Sequence, residues 1–142
     1  MAEEIFTEEW AQSWNDRINE NENYKKAATK WEGAIGMLMT PDADMGIPEE
    51  RVVIADLWHG DCRGAKTATV EEIDDAPYLI RAQPSVWKSV LAGKTDPIVG
   101  LMSGKLKLAK GSMFALLPYA KAAKELVQSA INVDTSFPEG WD

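Results

Sequence analysis

With 142 residues, 45 % of them hydrophobic, the chain is sized for one domain that buries roughly 70 % of the surface its unfolded form exposes. A net charge of −8 repels nucleic acid, no basic stripe with interleaved aromatics offsets it, and no run approaches the roughly 18 apolar residues of a membrane span. Cys62 is the only cysteine, which rules out an internal disulfide and fits a reducing compartment.

The acidic start MAEEIF and the ending GWD carry no secretion, transit, peroxisomal or retention signal, so a cytoplasmic protein is expected. The charge is uneven. Residues 1–83 hold 18 acidic and 8 basic side chains, residues 84–132 hold seven lysines against Asp96 and Glu125, and the tail adds three acids. The lysines are expected to solvate helix faces, with contact to anionic head groups or an acidic partner as the alternative. Six tryptophans and six methionines suit a core with irregular space or an adaptable binding surface.

In chain order, Thr7 is an N-cap candidate, and Glu8 and Glu9 place negative charge where the helix dipole favours it. Trp10, Trp14 and Ile18 follow at spacing four; after an interruption at Asn21 the stripe resumes with Tyr24, Ala27, Ala28 and Trp31. This predicts an amphipathic helix over 7–30, its aromatic stripe being core rather than a ligand box. Period two then sets in over 31–39 and opens a sheet spanning 31–82, with Trp31, Ile35, Met37 and Met39 on one face and Ala34 and Leu38 on the other.

The loop TPDADMGIPEE lacks the glycine position and the twelfth-position glutamate of a calcium loop. Strands are predicted over 51–59, 62–70 and 78–82, the first two joined by a tight turn at His59-Gly60-Asp61. The run Glu71, Glu72, Asp74 and Asp75 reads as a solvated loop. The strand RVVIADLWH is apolar on both faces apart from Asp56, so it needs cover on both sides or a cavity on one. Two short helices lie within 85–103, the second opened by Asp96-Pro97, and each is closed by a glycine. KLKLA predicts a strand over 105–109 with Leu106 and Leu108 inward. A C-terminal helix over 112–131, disturbed at Pro118, and a tail over 132–142 complete one domain, 1–142.

Residues 113–120, MFALLPYA, contain no charge and no hydrogen-bonding side chain except the tyrosine. A helix apolar all round is expected to be covered on every side or to line something apolar that is not protein. Nothing competes with that reading. His59 and Cys62 are the only base and nucleophile candidates of their kind, without an orienting partner or an oxyanion hole, and they have too few companions for zinc. The acidic run is crowded into one turn, unlike a glycosidase pair. No glycine loop cradles a phosphate. The expectation is a non-enzymatic protein, without cofactor or metal, that binds an apolar ligand.

The ordered series Trp87, Gly93, Asp96-Pro97, Leu101-Met102, Gly104-Lys105-Leu106 and Lys110-Gly111-Ser112-Met113 resembles the sterol carrier protein 2 family, most strongly over 76–131. The resemblance implies an α/β (α+β) fold in which a five-stranded mixed sheet and its helices enclose an apolar tunnel. It further implies binding, and transfer, of a sterol, fatty acid, acyl-CoA or phospholipid. Trp87, Met102, Leu106 and Met113 match motif positions. With Leu101, Leu108, Phe114, Leu117 and Tyr119 they are the predicted lining residues, a plain core role for each being the alternative.

Two features depart from the family pattern: an extra residue between Lys107 and Gly111, and the tail with Phe137 and Trp141. The tail is expected to pack on its own domain; covering the tunnel mouth or joining a homodimer are the alternatives. Transient membrane contact completes the expected partners. The competing functional expectation is an accessory subunit that presents an apolar substrate to an enzyme.

Overall fold

A computed structural model describes residues 2–73 and 76–138. The chain starts with a two-residue strand, β1 (Glu3–Glu4), and Ile5 and Phe6 then turn into the core. Thr7 accepts a hydrogen bond from the Trp10 amide and starts α1 (Glu8–Glu20). Its residues at spacing four, Trp10, Trp14 and Ile18, are fully buried. The helix expected over 7–30 is broken in two. Asn21 ends α1 in an extended conformation and caps α2 (Glu22–Ala27), accepting from the Tyr24 amide. The cause is tertiary: the Asn21 Nδ2 donates to the Glu125 carbonyl at 3.2 Å and to Ser129 Oγ at 3.0 Å.

Strands β2 (Ile35–Met39), β3 (Arg51–Trp58), β4 (Asp61–Thr67), β5 (Tyr78–Ala82) and β6 (Lys107–Lys110) form a mixed sheet in the order β4-β3-β2-β5-β6. The expected α/β class with a five-stranded mixed sheet is observed. β2 and β5 pair in parallel, and the other neighbours pair antiparallel. His59 and Gly60, with φ of 50° and 88°, make the turn between β3 and β4; left-handed backbone at both positions is the hairpin geometry that matches strand twist. A Cβ at position 60 would meet the Lys25 carbonyl oxygen at 2.8 Å, so glycine is required twice over.

Several strand limits differ from expectation, the first being β2, which starts at Ile35 rather than at 31. β4 stops at Thr67 rather than near 70, because the chain turns into a short helix, α3 (Val70–Ile73). Glu72 secures that turn by accepting from the Thr69 amide and pairing with Lys66, so this part of the acidic run is tied down rather than a free loop. Asp74 and Asp75 lie outside the described residues. Helices α4 (Pro84–Leu91) and α5 (Pro97–Ser103) fill the expected 85–103 region. β6 then starts at Lys107 rather than 105, since the Leu106 amide is engaged by the Gly100 carbonyl at 3.0 Å. β5 and β6 pair across a β-bulge: Leu79 pairs with Lys110 but Ile80 pairs with Leu108, leaving Ala109 unmatched.

Alternation sorts the strands' side chains. Ile35, Met37, Met39, Val53, Ala55 and Leu57 join the helices' side chains in the main core, while Leu38, Val52 and Leu79 form a thinner cluster on the opposite face. The helix expected over 112–131 comes in three pieces: α6 (Met113–Leu116), a 3₁₀ turn at Leu117–Tyr119, and α7 (Ala120–Ile131). The break falls at Pro118, which has no N–H to continue the ladder. Beyond α7, β7 (Thr135–Ser136) pairs in parallel with β1, and the Trp10 indole N–H donates to Thr135 Oγ1 at 2.9 Å. Phe137 packs against the main core. Trp141 lies outside the described residues.

Candidate functional site

Tyr119, broken from α6 by the proline and leading into α7, stands at the mouth of an apolar crevice. α6 contributes Leu116 and α7 contributes Ala122, Ala123 and Leu126; opposite them stand Tyr24 of α2, Trp31, and Ile35 of β2. The crevice encloses about 230 Å³, part of it open to solvent, and its lining presents no polar surface. Its interior is pinched to about the room of a single water. Trp31 sits at the centre of the aromatic wall, 4.9 Å from the ring of Tyr78 and 4.9 Å from that of Tyr119. Its indole N–H donates to the Gly33 carbonyl at 2.8 Å, which fixes the ring. Gly111, at φ 102°, lets the strand-to-helix connection pass against Tyr78 where any side chain would collide with that ring. Burial raises the Tyr24 phenol above its ordinary pKa and keeps it neutral.

The nine predicted lining residues fall into three groups. Trp87 and Leu106 are buried in the main core, Trp87 donating its indole N–H to the Leu38 carbonyl at 2.9 Å. Leu101, Leu108 and Tyr119 are partly buried against the same core, and Met113 is half-buried. Met102, Phe114 and Leu117 stand in solvent, 75 %, 88 % and 44 % exposed. Of the nine, the structure brings Tyr119 into the crevice wall. Of the two expectations for 113–120, cover on every side is not met: Leu116 is the buried residue of that stretch, and Phe114, Leu117 and Pro118 face water. A single turn of helix cannot turn all its apolar side chains toward one core, and the proline prevents its rotating as one piece with α7.

Seven crevice residues lie outside the predicted lining: Tyr24 and Trp31, expected as core, Ile35, expected on a strand face, and a helical four, Leu116, Ala122, Ala123 and Leu126. The signal was present. Together with Tyr119 the four recur at steps of three and four, a helical stripe, but that stripe shares its helix with a polar face of lysines and Glu125 that marks an ordinary surface helix.

Cys62 and His59 each have a partner other than one another. The Cys62 thiol is buried, 3.5 Å from the Gly64 carbonyl, and burial pushes its pKa up to about 11, so it is a neutral thiol rather than a nucleophile. His59 points instead to the Glu32 carboxylate, 2.6 Å away in an exposed turn. Among the described residues no group of three or more His, Cys, Asp or Glu could hold a metal ion, and no helix is long and apolar enough to cross a membrane.

No protein-family model and no curated protein matches the chain. Solved structures do. A crystal structure of sterol carrier protein 2 is 47 % identical, with a TM-score of 0.85 over 92 % of this chain and 99 % of that one. The solution structure of a conserved hypothetical protein from Thermus thermophilus, a candidate sterol carrier protein, is 43 % identical, with a TM-score of 0.84 over 100 % and 97 % of the two chains. At 16 % identity, the apo form of sterol carrier protein 2 from Yarrowia lipolytica shares the fold, with a TM-score of 0.54 over 83 % and 89 %.

Proposed function

The chain belongs to the sterol carrier protein 2 family, and on that premise we propose that it binds and carries an apolar lipid, without transforming it, in a tunnel that opens from the crevice beside α7. The ligand class is a sterol, fatty acid, acyl-CoA or phospholipid. The observation that carries this reading is the two-sided character of the segment around Pro118. Its inner side chains, Leu116 and Tyr119, line an apolar crevice, while its outer ones, Phe114 and Leu117, are left in water. Apolar groups on both sides of a short, proline-broken segment suit a cover that shifts to admit a ligand and folds its outer side chains over it.

In this reading Tyr119 and Met113 stay at the tunnel wall, Phe114 and Leu117 close it, and Leu101, Met102 and Leu108 extend it towards α5 and β6. Trp87 and Leu106 form its floor. Each methylene buried contributes about 0.8 kcal/mol before entropy losses, so one acyl chain suffices for micromolar binding. The exposed Val99 and Met102 of α5, in the lysine-rich half of the chain, add a surface for transient contact with a membrane during exchange. The same exposed residues would serve an accessory subunit that docks on an enzyme; co-purification with a second protein separates that reading from the carrier.

Solvent extraction of the purified protein followed by mass spectrometry, with titration of a fluorescent fatty acid, tests the proposal. Stoichiometric lipid and saturable probe binding are expected. Ala123→Trp, which fills the crevice, and Leu117→Glu, which places a charge on its cover, are expected to abolish probe binding in a folded protein. No recovered lipid and no probe binding up to high micromolar concentrations would overturn the reading.

A further inference from the structure

The parallel strands β2 and β5 end on the same side of the sheet, and past their carboxyl ends lies a second cleft. Thr40, Arg81, Gln83 and Val86 line one part of it, and Gly104, Lys105 and Lys107 another; it encloses about 740 Å³, part of it open to solvent. Ile35, at the apolar crevice, and Thr40, at this cleft, stand at opposite ends of β2, about 17 Å apart at the rise of a strand. The two sites are therefore distinct.

Three cations line this cleft, and among the described residues no acid does. Arg81 and Lys107 are direct partners across the β5–β6 pair, and like charges in that position work against folding. Among the described residues the ion pairs engage Arg17, Lys25, Arg51, His59, Arg63 and Lys66; Arg81, Lys105 and Lys107 take part in none. The half of the chain that contributes Arg81 is rich in acids, yet among the described residues none of them pairs with it. Gln83 makes no side-chain hydrogen bond to the helix it caps, so its amide is also open to a ligand.

We propose that this cleft binds a phosphate group. A dianion answers three cations lining one cleft better than a monocarboxylate does. A guanidinium grips two phosphate oxygens at once, while the lysines act as point charges. An anion between Arg81 and Lys107 turns their repulsion into shared attraction. The phosphate comes from a lipid head group or from a free phosphate, and the site does not depend on the lipid tunnel.

Heteronuclear NMR titrations with inorganic phosphate and with a short-chain phosphatidic acid test the proposal. Saturable amide shifts are expected at Arg81, Gln83, Lys105 and Lys107 with at least one of the two. Saturation by phosphatidic acid at much lower concentration assigns the site to a lipid head group; equal or better saturation by inorganic phosphate assigns it to free phosphate. Lys107→Glu is expected to weaken binding at least about tenfold while leaving the melting temperature unchanged or higher, because a pair of opposite charge replaces one of like charge. Lys105→Gln, away from the strand pair, is expected to weaken binding with no change in melting temperature. The absence of saturable shifts with both ligands, or unchanged affinity in folded Lys107→Glu, would overturn the proposal. Neither result bears on fatty-acid binding in the crevice, so a failure here is distinguishable from a failure of the carrier reading.

Discussion

Helix α1 and the segment from α6 into α7 are both apolar, and they meet opposite fates. In α1 the large side chains recur every four residues, and each is buried; two are also anchored by hydrogen bonds. The Trp10 indole N–H reaches Thr135, and that of Trp14 reaches the Leu126 carbonyl at 3.2 Å. Around Pro118 the apolar side chains exceed any one stripe: Leu116 and Tyr119 belong to the stripe that continues into α7, while Phe114 and Leu117 are left outside. A periodic stripe commits a helix to one face and so to the chain's own core. An unbroken apolar run exceeds what one face can bury. The surplus stays at the surface, where it is open to a ligand, a membrane or a partner.

The contrast is breakable by experiment. Trp14→Ala should cost about 3–5 kcal/mol in urea denaturation, because it empties a fully buried site, whereas Phe114→Ala should stay within about 0.5 kcal/mol of the wild type. Similar losses from the two would erase the distinction. Asn21→Ala should cost about 1–2 kcal/mol by removing the α2 cap and the bonds to Glu125 and Ser129. Hydrogen exchange should quicken at the Tyr24 amide, and unchanged exchange there would show that the break between α1 and α2 is fixed by something else.

Smaller still is the tether between α1 and the sheet. The Glu8 carboxylate accepts from the Thr67 amide at 2.9 Å and the Thr67 hydroxyl at 2.8 Å. The amide bond chiefly, then the hydroxyl, holds its pKa below the ordinary value of 4.5. A carboxyl with a lowered folded-state pKa stabilises the fold above 4.5, and that contribution is lost as pH falls through the lower value. The stability gap between the wild type and Glu8→Gln should therefore be widest near neutrality and close on acidification below about pH 4.5. A gap independent of pH would refute the tether. The least effect on stability is expected from Val99→Ser at an exposed site of α5, within about 0.5 kcal/mol, although its association with anionic vesicles should fall in a sedimentation assay.

Much of the fold was legible because it is written in local patterns. Alternation placed Met37 and Met39 on one face and Leu38 on the other, and Asp96-Pro97 marked the start of α5. What escaped depends on residues far apart. The partners that break the first helix at Asn21 lie 104 and 108 residues away. The β1–β7 pair joins two-residue segments from opposite ends of the chain, too short to carry a pattern of their own. The lining residues were harder again, since a stripe that includes small side chains such as Ala122 and Ala123 reads as an ordinary helix face until a tyrosine and a tryptophan stand opposite it.

By itself the sequence determined the class of the fold and the facing of most strands. Those properties follow from periodicity and residue chemistry, which act within a few positions. Only the tertiary structure decided which of MFALLPYA is buried, where the apolar crevice opens, and that Arg81 and Lys107 face each other across two strands. Burial and charge environment are set by what packs across from a residue, and that neighbour comes from elsewhere in the chain.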